Sequence, residues 1–173
     1  QTGIDPARQW LNMMRESEGR TTFNYHLFNP SLEHLEDVVT TDWCMPGLGD
    51  AGAHVGQVMD CGWATFTLSY WHRDRGVYGL EEAVRRITSI PAHVLGLTDR
   101  GTLTVGSKAD INIIDIERLS ERHPEFVYDF PNDSGRFVQH ATGYRATICN
   151  GQIVVEDDEL TGNRAGSVLR SSQ

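Results

Sequence analysis

One side chain in the first third of this sequence, Asp50, has the type and position for proton-transfer chemistry, and a histidine that could serve as a ligand, His54, follows it closely. Asp50 and His54 lie in Gly47-Leu48-Gly49-Asp50-Ala51-Gly52-Ala53-His54-Val55-Gly56, a carboxylate and an imidazole on one short, glycine-punctuated stretch. Groups of these kinds take and return protons during catalysis, and the glycines let the backbone turn sharply and approach a ligand. The same pattern also suits an aspartate that closes a turn and a histidine held by structural hydrogen bonds, so pattern alone leaves both readings open. The other histidines, His26, His34, His72, His93, His123 and His140, form no H-x-H or H-x-x-x-H pair. Cys44, Cys61 and Cys149 include no C-x-x-C. A metal site built from local motifs is therefore not expected. Nor does the sequence contain a G-x-S-x-G elbow, a P-loop or a dinucleotide fingerprint.

The element that must present Asp50 is the short apolar run of residues 43–48, which reads as a strand ending at Gly49. Loops beyond the carboxyl ends of parallel strands are where α/β folds place their ligands. Upstream, Asp5-Pro6 reads as a cap followed by proline at the first helical position, and Ala7, Trp10, Leu11 and Met14 recur with helical spacing. Gly19 closes that helix, residues 21–28 read as a strand, and Asn29-Pro30 repeats the cap before a second helix with Leu32, Leu35, Val38 and Val39 on its apolar face. The order helix, strand, helix, strand predicts parallel βα units. Residues 63–71 fit helix or strand by periodicity alone. Leu80, Val84 and Ile87 mark a further helix, and a shorter one opens at Pro91 and stops at Gly96.

Beyond Arg100-Gly101 the texture becomes β. Leu103, Val105, Ile111, Ile113 and Ile114 lie in short runs, and Asn150-Gly151 separates residues 147–149 from 153–155. Asn-Gly between apolar runs predicts a hairpin, because both turn positions need φ > 0. A boundary near Gly101 thus divides an α/β part, residues 1–100, from a small β part, residues 101–173. The acidic run 156–159 reads as a solvated loop.

The chain has 173 residues with a formal charge of -9, a balance that opposes attraction to phosphate backbones or anionic lipid. Nucleic acid and membrane are therefore not expected partners. No apolar run approaches the ~20 residues of a membrane span. The odd number of cysteines fits a reducing compartment, the cytoplasm. A complete eight-stranded α/β barrel needs ~250 residues. The opening on Gln1, with helical periodicity beginning almost at once, reads as a segment of a longer design.

Several motifs together resemble the carboxy-terminal portion of the metal-dependent amidohydrolase superfamily. They are Thr88-Ser89-Ile90-Pro91-Ala92-His93-Val94-Leu95-Gly96-Leu97, Arg100-Gly101-Thr102-Leu103 and Gly106-Ser107-Lys108-Ala109-Asp110-Ile111. The stretch from Gly49 through Gly56, Trp71-His72-Arg73-Asp74-Arg75, residues 138–145 and Asn150-Gly151 resemble its N-acyl-D-amino-acid deacylase branch. The resemblance implies an α/β fold: the last βα units of a (β/α)8 barrel, followed by part of a small β-sandwich and incomplete on its own. Residues 43–50 would form the last barrel strand and residues 21–28 the one before.

By this resemblance Asp50 is the strand-end aspartate that contacts a metal or its bound water and shuttles a proton. His54 would face the substrate, and Asn24, Tyr25 and His26 would lie near the pocket rim, with Tyr25 a candidate substrate-binding residue. The branch places an arginine shortly after the aspartate to bind the substrate carboxylate; Cys61 and its neighbours occupy that region here, leaving Arg73 or Arg75 as substitutes. The implied cofactor is a divalent metal, zinc, with Asp50 as the one ligand in this chain. The family's other ligands are absent from it, so the chain alone is expected not to retain the ion. The implied activity of the full-length protein is hydrolysis of a C–N amide bond in a small-molecule N-acyl amino acid. Two rivals remain: a cyclic-amide hydrolase of hydantoinase or dihydropyrimidinase type, and a non-catalytic truncated module that self-associates or completes a companion chain. An open edge in the β part could be covered by a homo-oligomer or by a missing amino-terminal portion.

Overall fold

The computed structural model describes residues 3–23, 29–52, 54–57 and 60–170, which group into two compact units, 1–35 and 36–173. In the first, helix α1 (Pro6–Glu16) forms where its periodicity predicts it. The Asp5 carboxylate accepts the Arg8 N–H at 3.1 Å, satisfying an amide that the helix leaves without a partner. Gly19 closes the helix by donating to the Met14 carbonyl at 2.7 Å, and Trp10 stacks on Phe23 with ring centroids 6.2 Å apart. Residues 21–23 are irregular rather than a strand. The rest of that expected strand, with Asn24, Tyr25 and His26, lies outside the described residues.

Helix α2 (Leu32–Val39) opens at Ser31, whose hydroxyl accepts the His34 N–H at 3.3 Å. The cap therefore sits two residues later than Asn29. The expected strand at 43–48 is not one. The run is irregular, with Trp43 88% and Leu48 97% exposed. A strand exists through its ladder, and no described segment pairs with this one. Every ladder among the described residues is antiparallel, so the parallel βα pairing read from the sequence is not present among them.

The aromatic stretch left open between helix and strand is helical. α3 (Trp63–Phe66) runs directly into a π-helical segment, Thr67–Asp74, and the Arg75 N–H reaches the Tyr70 carbonyl five residues back, at 2.8 Å. The wider turn puts Leu68 and Trp71 in the core while Phe66 and Tyr70 stack at 4.7 Å. α4 (Leu80–Ile87) follows as expected; α5 (Ser89–Val94) opens two residues before the expected Pro91, and Gly96 ends it at φ 69°.

The β part forms a sheet in the order β1 (Ile111–Ile114), β6 (Tyr144–Cys149), β7 (Gln152–Glu156), β8 (Glu159–Leu160). Asn150 and Gly151, at φ 48° and 81°, make the predicted hairpin. The acidic run proves to be a second tight turn. Asp157 and Asp158 adopt φ 44° and 70°, and the Asp158 carboxylate accepts the Tyr144 N–H at 2.6 Å. Two small pairings complete the part: β2 (Ser120–Glu121) with β5 (Ala141–Thr142), and the hairpin of β3 (Glu125–Phe130) with β4 (Ser134–Val138). Residues 102–105 form no strand, Leu103 and Val105 are exposed, and Ile113 is 51% exposed. No described element covers them. The change of texture near Gly101 falls inside the second unit, where the Thr65 and Tyr144 hydroxyls meet at 2.8 Å.

One charged side chain organises the start of this unit. Arg86, 2% exposed, donates through one terminal nitrogen to the carbonyls of Val39, Thr41 and Cys44 at 2.8, 3.0 and 2.8 Å. Its Nε donates to Glu82 at 2.7 Å, and the guanidinium lies 4.9 Å from the Tyr78 ring centroid. The Tyr78 hydroxyl also donates to the Val39 carbonyl. Removing one partner from a buried charged network costs about 3–5 kcal/mol, so Arg86→Met is expected to lower the urea midpoint by that much stability; a loss under about 1 kcal/mol would contradict the assigned role. Hydrogen bonds from Arg85 and then Arg86 hold the Glu82 carboxyl down from its ordinary 4.5 to about 2. A depressed carboxyl stabilises above its unfolded pKa, and that contribution is lost as pH falls through the folded one. Thermal melts should show stability falling between pH 4.5 and 2, with a shallower fall in Glu82→Gln.

Candidate functional site

The backbone that Arg86 fixes leads directly to the loop carrying Asp50. Asp50 is exposed there, and its backbone is held by a residue ten positions on. The Asp60 carboxylate accepts the Asp50 N–H at 2.8 Å through one oxygen and the Ala51 N–H at 2.7 Å through the other. Gly49 leaves the space that the Asp60 carboxylate takes up, since a Cβ at 49 would run into that carboxylate. The His54 N–H donates to the Asp50 carbonyl at 3.3 Å, which puts the two sequence candidates on one turn, and His54 is exposed as well.

The loop is tied to the β part further along. The Phe137 N–H of β4 donates to the Val55 carbonyl at 2.7 Å, and the Cys61 thiol donates to Gln139 Oε1 at 3.6 Å. Glu121 of β2 packs against Gly62, where α3 begins. Burial pushes the Glu121 carboxyl up. Partial burial, with the negative neighbours Asp60 and Glu121, pushes the Cys61 thiol up as well.

The remaining sequence candidates are placed differently. Tyr25 lies outside the described residues. Arg73, offered for a substrate carboxylate, is engaged through all three guanidinium nitrogens. Nε and one terminal nitrogen meet Asp74 at 2.7 and 3.3 Å. The other donates to the carbonyls of Ile116 and Leu119 at 3.0 and 2.5 Å. That geometry clips the chain ahead of β2 to the π-helical segment, a different use from the one the sequence suggested. Arg75 pairs with Glu36 at 2.7 Å. Asp60 is the site residue that sequence reasoning missed; the one signal for it is an acidic residue closing the same glycine-rich loop.

The donor set does not fit a metal site of its own: among the described residues, no group of three or more His, Cys, Asp or Glu side chains converges to hold an ion. No described helix is long and apolar enough to cross a membrane. What the arrangement offers is the exposed carboxylate of Asp50, on backbone held by Asp60, with the exposed imidazole of His54 one turn on. Leaving a buried carbonyl without its donor costs about 1–3 kcal/mol, so Arg73→Ala is expected to lower the melting temperature measurably. An unchanged melting temperature with a raised KM would return Arg73 to a substrate-binding role.

A profile of the amidohydrolase family matches residues 39–155, a span containing the whole Asp50 loop. The chain is 35% identical over 110 residues to an N-acyl-D-glutamate deacylase of Alcaligenes xylosoxydans xylosoxydans, covering 62% of this chain and 20% of that protein. It is 31% identical over 109 residues to a D-aminoacylase of the same organism, covering 62% and 21%. A solved structure of D-aminoacylase, studied for its binuclear metal centre, superposes with a TM-score of 0.50 at 30% identity, over 62% of this chain and 21% of that one. The chain therefore spans about a fifth of the length of the relatives it matches. With the profile covering more than half of its residues and solved structures sharing its fold, the chain belongs to the amidohydrolase family.

Proposed function

We propose that this chain is the carboxy-terminal part of a metal-dependent amidohydrolase that hydrolyses the amide bond of N-acyl-D-amino acids, with Asp50 as its acid/base. The supporting observation is one of position: Asp50 stands exposed on a tethered loop, inside the span that the family profile matches. In amide hydrolysis a C–O bond forms as water adds to the carbonyl carbon, and the C–N bond then breaks. A carboxylate beside the reacting carbon takes the proton from the attacking water and returns it to the departing nitrogen. Asp50 does this in the present reading, and His54, one turn on, contacts the substrate.

In the same reading residues 1–100 supply the last βα units of a barrel and residues 101–173 strands of a small β-sandwich. The ladder partners of residues 43–48 and the cover over Ile113 then come from outside the chain, from the rest of the polypeptide or from a second copy. The divalent metal, zinc by the sequence resemblance, would be held by Asp50 together with residues outside the chain; among the described residues no group of three or more His, Cys, Asp or Glu side chains converges to hold it. The odd number of cysteines, with no C-x-x-C pair among them, suits the reducing cytoplasm.

The test is turnover by the full-length protein, with its metal, on acidic and apolar N-acetyl-D-amino acids, their L counterparts, and the cyclic amides hydantoin and dihydrouracil. Release of free D-amino acid is expected, with Asp50→Asn lowering kcat by about 10³-fold at unchanged metal content. Opening of the cyclic amides alone would move the substrate class to the ring-opening hydrolases. Undiminished turnover in Asp50→Asn would remove the acid/base assignment.

A further inference from the structure

The Asp50 loop contains a carboxylate that the proposed chemistry does not use. Asp60 is exposed, yet its two oxygens are engaged by successive backbone amides, Asp50 N–H at 2.8 Å and Ala51 N–H at 2.7 Å. Two adjacent N–H groups aimed at one point form a concave anion site, and here the anion comes from the loop itself. The bonds are charge-assisted, the stronger class for amide donors. Gly49 carries the same message from the other side, since any side chain there would occupy the space of the Asp60 carboxylate. Orienting the peptide groups at 50 and 51 fixes the backbone on both sides of the Asp50 Cα, and with it the direction in which the Asp50 side chain leaves the chain. The His54 N–H on the Asp50 carbonyl at 3.3 Å adds to this on one side of the Cα, and the two Asp60 bonds act on both.

Resting on the reading of Asp50 as acid/base, we propose that Asp60 is a positioning residue: it sets the aim of the Asp50 carboxylate through the backbone and never touches substrate. Misplacing a catalytic group by about 1 Å costs ~10²-fold in rate. Asp60→Ala, which loses both amide bonds, is then expected to lower kcat by about 10²-fold while KM stays within about threefold. Asp60→Asn keeps one carbonyl oxygen and is expected to lose only about tenfold.

The experiment is a double-mutant cycle in the full-length, metal-loaded protein, with kcat and KM for the hydrolysed substrate measured in wild type, Asp60→Ala, Asp60→Asn, Asp50→Asn and both Asp50→Asn combinations. If Asp60 acts through Asp50, changing it in the Asp50→Asn background costs little further activity. The proposal is overturned if the Asp60 substitutions lower residual activity by the same factor in both backgrounds, or if they change KM rather than kcat. Should Asp60→Ala fail to fold, the near-isosteric Asp60→Asn carries the same comparison. Wild-type turnover in Asp50→Asn would instead remove the acid/base reading, and this inference with it, so the two failures are distinguishable.

Discussion

The buried guanidinium of Arg86 is the constraint on which the second unit depends. A charge at 2% exposure is tolerable only when its donors are met, and these donors can be met in one arrangement: three carbonyls from residues 39–44 on one side and the Glu82 carboxylate on the other. The segment after α2 has no ladder of its own. Its course is set by the cation it wraps, and Tyr78 adds a ring beneath that cation and a hydroxyl to the Val39 carbonyl. What a sheet would do with repeated backbone pairs is done here by one side chain with fixed planar geometry.

The candidate site inherits that order. Residues 45–48 carry the chain from the last carbonyl bound by Arg86 to Gly49, where Asp60 takes over. The amides of Asp50 and Ala51 are satisfied by a carboxylate, Val55 by the backbone of β4, and Cys61 by Gln139. Farther along, Arg73 ties the π-helical segment to the chain ahead of β2. Helical and β portions of the unit are thus joined by polar contacts, most of them made with backbone atoms, and the loop between them is held at several points while its two candidate functional side chains stay exposed.

The parts of this structure legible in the sequence are those decided by neighbours in the chain. Asp5-Pro6 announces α1 because the carboxylate and the amide it accepts are three residues apart, and Asn150-Gly151 announces its hairpin because both residues tolerate φ > 0. The Asp50 loop was legible as a candidate because glycine punctuation and a carboxylate are local facts, and the family motifs around it reached the same residue. Long-range facts were not legible. Residues 43–48 have strand composition, but composition cannot supply a ladder partner. Arg85 and Arg86 are adjacent and chemically identical, and only the fold decides which is exposed and which is buried. Arg73 lies in a family-like motif, yet the carbonyls that engage it come from more than forty residues away. Asp60 bonds across a ten-residue loop, a separation with no periodic signature. The acidic run at 156–159 has the composition of a solvated loop, and its role as a tight turn depends on the Tyr144 amide across the hairpin.

In its proposed role Asp60, bonded to two successive backbone amides, holds Asp50 in one direction. Amide hydrogen exchange at Asp50 and Ala51 in the full-length, metal-loaded protein tests it most directly, because both N–H groups are bonded to Asp60 although the loop faces solvent. These two amides are expected to exchange at least ~10-fold more slowly than unstructured amides of the same sequence, protection that requires only a modest opening free energy. Exchange at the unstructured rate would show that the Asp60 bonds do not persist and that Asp60 does not hold Asp50 in place.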